Sequence, residues 1–215
     1  MNLCEELDSD VPWDKVVLVG NPGVGKSTIF QRFKTGLFVR EEELTHHDKA
    51  GQEHRKVWEV GDEEVSITLF DTAGVERFTQ TIPPTYYRRA KVVLLVYSMD
   101  NNDSFQAISN NWLDNYASCC DDKSLTVLVG NKCDLKHRWE ELDEFVPRRR
   151  ALTLAGNREI GLDMVFEISA LTGKGFQEMF DGVAVRMKEL MDPKPPPSGQ
   201  ENLSSQTIQK SGCRC

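Results

Sequence analysis

The sequence predicts an α/β fold in which a mostly parallel sheet is flanked by helices on both faces. Three observations carry this. Short apolar runs alternate along the chain with helical patterns, the signature of a sheet wrapped in helices. Four of those runs are too uniformly apolar for a half-wet sheet, which fits strands covered on both faces. A glycine-rich loop joins the first run to the first helix. At 215 residues the chain accommodates one compact domain with a tail, and is too short for two full domains.

In chain order, residues 1–13 form an N-terminal extension. A strand is predicted over Val16 to Val19 and a helix over Lys26 to Lys34. Val57-Trp58-Glu59-Val60, the turn Gly61-Asp62 and the alternating run Val65 to Phe70 predict a hairpin at a sheet edge. Further strands are predicted over Val92 to Val96, Thr126 to Val129 and Val165 to Ile168. Helices are predicted over Ser104 to Ser118, Pro147 to Asn157 and Phe176 to Met191. In the last, Phe176, Met179, Phe180, Val183 and Met187 recur at spacings of three and four and make one apolar stripe. Pro193 to Pro197 then break the pattern, and the polar remainder to Cys215 is expected to be disordered. The chain therefore divides into residues 1–13, a domain over 14–191 and a tail over 192–215.

Composition excludes several classes. Against 26 Lys and Arg stand 34 Asp and Glu, a formal charge of −8, so nucleic acid is not an expected partner. No run of about 18 apolar residues offers a membrane span. The start, Met1-Asn2-Leu3-Cys4-Glu5-Glu6, has neither the basic nor the apolar region of a secretory signal, and lacks the glycine that N-myristoylation requires. The six cysteines are scattered as reduced cytosolic thiols are.

Gly20-Asn21-Pro22-Gly23-Val24-Gly25-Lys26-Ser27 fits G-x-x-x-x-G-K-[ST] between a strand and a helix. Backbone N–H groups of such a loop wrap a β-phosphate, and side chains at its glycines would obstruct that approach. Lys26 supplies a point charge to the β- and γ-phosphates, and the Ser27 hydroxyl is the candidate Mg²⁺ ligand. Nucleotide contacts are assigned to Gly23, Val24, Gly25, Lys26, Ser27 and Thr28.

Asn131-Lys132-Cys133-Asp134 comes after the apolar run Val127-Leu128-Val129, at a strand's carboxyl end. An ionised Asp accepts hydrogens only, so Asp134 suits the N1–H and exocyclic amine of guanine. Adenine presents a lone pair at N1 and would leave that carboxylate unpaired, which argues against an ATPase. Ser169-Ala170-Leu171 ends another apolar run, and its N–H groups are placed to close over the base edge.

With these motifs in this order, the chain resembles the Ras superfamily of small GTPases from Lys15 to about Met191. Glu76-Arg77-Phe78, Tyr86-Tyr87-Arg88-Arg89-Ala90, Ser104-Phe105 and Trp112-Leu113 are similar to the Rab branch. The resemblance implies a P-loop NTPase (Ras-like) fold, GTP/GDP and Mg²⁺ as ligands, and a switch read by partners. It implies that Asp71, in Asp71-Thr72-Ala73-Gly74, holds a Mg²⁺-bound water and that the Gly74 amide senses the γ-phosphate. The implied partners are an exchange factor, an activating protein, effectors and a dissociation inhibitor.

The chain departs from that family in places. Val75 stands where the family has the glutamine that orients the attacking water, so no catalytic residue is assigned and intrinsic hydrolysis is expected to be slow. The Thr-Ile-Gly triplet of the first switch is missing. Counting from Lys26 selects Thr45 as its Mg²⁺ ligand, whereas counting back from Asp71 lands on Asp48. His46 and His47 read as solvated loop residues rather than a metal site. Pro22 replaces a small residue of the loop, and Leu171 replaces a frequent lysine.

The ending Gly212-Cys213-Arg214-Cys215 lacks the cysteine of a C-a-a-X box. Its Cys-x-Cys form is similar to that of doubly geranylgeranylated Rabs, with Cys213 and Cys215 as the lipidated residues; the alternative is a redox or metal-binding pair. Two lipids give durable anchoring where one is marginal. The expected location is the cytoplasmic face of an intracellular membrane, with a cytosolic pool and a role in vesicle trafficking. A guanine-nucleotide-locked adaptor with little turnover is the competing expectation.

Overall fold

Runs of Val and Leu dictate the centre of the sheet. In the computed structural model, which describes residues 14–39, 52–72, 83–114, 124–136, 145–157 and 161–191, three strands are buried along their entire length. They are β1 (Lys15–Val19), β4 (Val92–Ser98) and β5 (Leu125–Asn131). Strands β2 (Glu53–Val60), β3 (Glu63–Asp71) and β6 (Met164–Glu167) complete a six-stranded sheet in the order β2-β3-β1-β4-β5-β6. Only β2 runs antiparallel, paired with β3 as the hairpin; every other pairing is parallel.

Because side chains alternate across a strand, β1 feeds two cores. Val16 and Leu18 face α1 (Lys26–Thr35) and, further along the sheet, α5 (Phe176–Met191), in a cluster with Phe30, Phe33, Phe180 and Val183. Val17 and Val19 face the other way, into a cluster that includes Phe105, Trp112 and Ala151. Those three come from α3 (Asn102–Ala107), the π-helical turn Ile108–Trp112 that continues it, and α4 (Arg148–Gly156). A short helix, α2 (Pro84–Tyr87), precedes β4.

The apolar stripe predicted for α5 is buried, including Met179, Phe180, Val183 and Met187. Phe180 is its anchor. Its ring lies 4.8 Å from Phe33, 5.5 Å from Trp58 and 5.0 Å from Phe176, centroid to centroid. Trp58 stacks on Phe33 at 5.7 Å and donates its indole N–H to Asp181 at 2.7 Å. The hairpin is thereby stapled to both helices on that face.

Three expectations shift. Strand β2 begins at Glu53 rather than Val57, because pairing with β3 from Glu53↔Phe70 onward satisfies the backbone of a segment with no apolar pattern. Its charges suit an edge strand. Strand β6, expected to be covered on both faces, is half-buried throughout because it forms the opposite edge. The helix predicted from Ser104 starts at Asn102, since the Asn101 side chain accepts from the Ser104 N–H at 2.9 Å and caps it. It then passes into the π turn, and its predicted end at Ser118 lies outside the described residues. So do the N-terminal extension and the tail.

Truncating Phe180 to Ala should cost about 3–5 kcal/mol, the usual range for a fully buried aromatic. Urea unfolding of wild type and variant measures it.

Candidate functional site

The parallel strands end together, and in open α/β sheets ligands bind outside those carboxyl ends. Here the Gly20–Ser27 loop leaves β1 and enters α1, while Asn131 closes β5 and Ser169 lies just beyond β6. Two glycines are dictated by contact. A Cβ on Gly20 would sit 2.1 Å from the Val96 carbonyl oxygen, and one on Gly25 would sit 2.3 Å from Asn131 Nδ2. Gly25 also holds φ at 97°, where L side chains are strained.

The helical ladder of α1 opens with the Ile29 N–H donating to the Gly25 carbonyl at 2.9 Å. The first N–H groups of a helix generally precede its own hydrogen-bond ladder, and with the helix dipole they make an anion-binding end. Lys26 is 3 % exposed, and its ammonium donates to the carbonyls of Gly20 at 2.8 Å and Asn21 at 2.9 Å. A buried cation is thus held within the ring of the loop, beside half-buried Ser27 and Thr28.

Asp71 ends β3 directly opposite Leu18 of β1 and is buried, which puts a carboxylate at the start of the loop. Its neighbour Thr72 donates its hydroxyl to the Leu18 carbonyl at 2.6 Å and fixes the strand end. Among the described residues no group of three or more His, Cys, Asp or Glu could hold a metal. The hydroxyl of Ser27 and the carboxylate of Asp71 are oxygen donors of the kind that suit Mg²⁺, an ion that commonly takes its other ligands from water and phosphate.

Asn131 links the loops. Its buried carboxamide donates from Nδ2 to the Val24 carbonyl at 2.9 Å and accepts the Ala170 N–H on Oδ1 at 3.0 Å. Lys132 takes a left-handed backbone (φ 65°), and its ammonium lies 3.5 Å from the Asp100 carboxylate. The Cys133 N–H donates to the Ile168 carbonyl at 3.0 Å; burial pushes its thiol pKa up, so it packs as a neutral group rather than a reactive thiolate. Asp134 accepts the Ser169 hydroxyl, whose oxygen in turn accepts the Thr172 N–H at 3.0 Å.

The structure therefore gathers Gly23, Val24, Gly25, Lys26, Ser27 and Thr28 with Asn131, Lys132, Asp134, Ser169, Ala170 and Leu171 at one end of the sheet. Thr45, Gly74, Val75, Cys213 and Cys215 lie outside the described residues. One contributor escapes sequence reasoning. Arg32, on α1, donates to the carbonyls of Ala170 at 2.6 Å and Leu171 at 2.8 Å and braces the loop from outside. No motif marks it: Arg32 meets residues some 138 positions away only once α1 and the β6–α5 loop are packed.

Removing that brace as Arg32→Ala should speed amide exchange over residues 169–174 about tenfold, the worth of a charge-assisted bond partly exposed to water. Hydrogen exchange with mass spectrometry reads it, and α5 should be unaffected.

The sequence model of the Ras family matches residues 15–189 of the chain. Ras-related protein RABE1e of Arabidopsis thaliana is 33% identical over 211 residues, covering 93% of this chain and 91% of the relative. Ras-related protein Rab-30 of Homo sapiens is 34% identical over 174 residues, covering 80% and 79%. GTP-binding protein RHO2 of Saccharomyces cerevisiae is 32% identical over 185 residues, covering 84% and 92%. A glycine-rich loop and a strand-end loop joined through Asn131, on a sheet of this order and with relatives of this kind, lead to one conclusion: the chain belongs to the Ras family and is a Rab-like small GTPase.

Proposed function

We propose that the protein is a GTP/GDP switch that works on an intracellular membrane surface in vesicle trafficking, and that its intrinsic hydrolysis is slow. The observation that carries the binding half is the Asn131 carboxamide, which ties the carbonyl of Val24 to the N–H of Ala170 and so holds phosphate and base sites at a fixed separation.

Each residue then has a role. N–H groups of residues 23–28 cradle the phosphates, and Lys26 exchanges its two carbonyl partners for phosphate oxygens. Asp134 accepts the two donors of the guanine edge, held in position by Ser169. Ala170 and Leu171 close over the base, and Leu171, 49% exposed, supplies apolar contact there. Ser27, Asp71 through a water, and Thr45 would hold Mg²⁺, which supplies charge neutralisation to the triphosphate. Gly74 senses the γ-phosphate.

Hydrolysis is in-line attack of water on the γ-phosphorus, breaking the bond to the β–γ bridging oxygen and releasing phosphate. The Val75 side chain has no polar atom to orient that water, so turnover depends on groups supplied by an activating protein. Prenylated Cys213 and Cys215 anchor the chain, a dissociation inhibitor maintains the cytosolic pool, and an exchange factor and effectors act on the nucleotide state. Among the described residues no helix is long and apolar enough to cross a membrane. A nucleotide-locked adaptor is the second reading, favoured by Val75 and by the missing first-switch triplet.

Two measurements test this. Titration should give GDP a preference over ADP on the order of 10⁴, because adenine leaves Asp134 unpaired, and Asp134→Ala should reduce it to within about tenfold. A protein that binds both alike is not a guanine switch. In single-turnover assays GTP should be hydrolysed slowly alone and faster by on the order of 10³ or more with an activating domain. No acceleration, together with partners that ignore the nucleotide state, would establish the adaptor instead.

A further inference from the structure

Trp112 is 2 % exposed and ends the π turn Ile108–Trp112 on the face of the sheet opposite α1. A π turn takes up one extra residue, so its last side chains are rotated by about 100° relative to a continuous α-helix. Packing explains the ring but not its polar edge, since an indole carries one donor and no acceptor and needs a partner when buried. That partner is the side chain of Asn21: Trp112 Nε1 donates to Asn21 Oδ1 at 2.7 Å.

Asn21 is the second residue of the phosphate loop, and its own carbonyl is one of the two that hold Lys26. Left to itself, an Asn in a turn tends to accept the backbone N–H two residues on, here that of Gly23, forming an Asx turn. Such a bond would remove a donor from the cradle. The loop is already one donor short, because Pro22 has no N–H.

We propose that Trp112 is a positioning residue for the phosphate loop: by occupying the Asn21 carboxamide oxygen it keeps the Gly23 N–H available to a phosphate and holds the Asn21 carbonyl toward Lys26. This rests on the guanine-nucleotide-binding function proposed for the chain and adds a link from the helix after β4 to the phosphates.

The test is release of a fluorescent GDP analogue from the full-length protein, chased with excess GDP. Trp112→Phe keeps the ring and loses the donor, and release should quicken about three- to tenfold, the net worth of one neutral hydrogen bond. Adding Asn21→Ala to that variant removes the competing carboxamide and should bring release back toward the wild-type rate. Lost packing alone would not be rescued this way. Release of Trp112→Phe at the wild-type rate, or faster release that Asn21→Ala does not reverse, overturns the proposal. Independently of how Trp112→Phe folds, the Trp112 indole N–H resonance should move upfield in Asn21→Ala; an unmoved resonance also overturns it. A wild-type protein that retains no GDP analogue would overturn the nucleotide-binding function, and this inference with it.

Discussion

The structure turns on a single buried carboxamide. Asn131 is 2 % exposed, and an amide that deep must have its donor and acceptor met within the protein. It meets them with backbone atoms of two remote segments, the Val24 carbonyl and the Ala170 N–H. A side chain on Gly25 would force that amide to shift, because its Cβ would lie 2.3 Å from Asn131 Nδ2. One side chain and one missing side chain together relate the Gly20–Ser27 loop to the loop beyond β6. Loss of either would leave polar atoms unpaired in a dry place, at a cost of about 1–3 kcal/mol each.

That bolt works because the platform beneath it is stiff. Strands β1, β4 and β5 are buried on both faces and end at the same edge, so the loops leaving them start from positions that packing dictates. From the hairpin side, the aromatic group of Phe33, Trp58 and Phe180 holds α1 and α5 against the sheet. Arg32 extends from the same helix to the carbonyls of Ala170 and Leu171. The base loop is therefore held from within by Asn131 and from outside by Arg32, and α1 serves both the phosphate end and the loop.

The departures from the family pattern are unevenly distributed. Lys26, Ser27, Asn131 and Asp134 keep the residue types of the family motifs, and near the proposed base site Leu171 alone departs from them. The other substitutions fall on the residue that would orient water, Val75, and on the first switch, with Pro22 on the γ-phosphate side of the loop. Selection of the nucleotide and its cleavage rely on different residues, so a chain can keep the first while altering the second. In the function proposed here hydrolysis is left to partners, which would suit a switch whose timing is set from outside.

Both central motifs are legible in the sequence because each is contiguous: a strand, a loop and a helix start encode the cradle, and a strand end encodes the base reader. The apolar stripe of α5 is legible for the same local reason, as its period of three to four comes from helix geometry. Strand β2 is only partly so, since Glu53 to Lys56 owe their conformation to β3 rather than to their own pattern. The half-burial of β6 depends on its place at the edge, and strand order is a property of the whole sheet. By itself, then, the sequence determined the fold class and the family to which the chain belongs, because contiguous motifs and short-range geometry govern both. Only the tertiary structure decided that Arg32 braces the base loop and that Trp112 reaches Asn21, because those partners lie 138 and 91 residues apart and meet only when separate helices pack on one sheet.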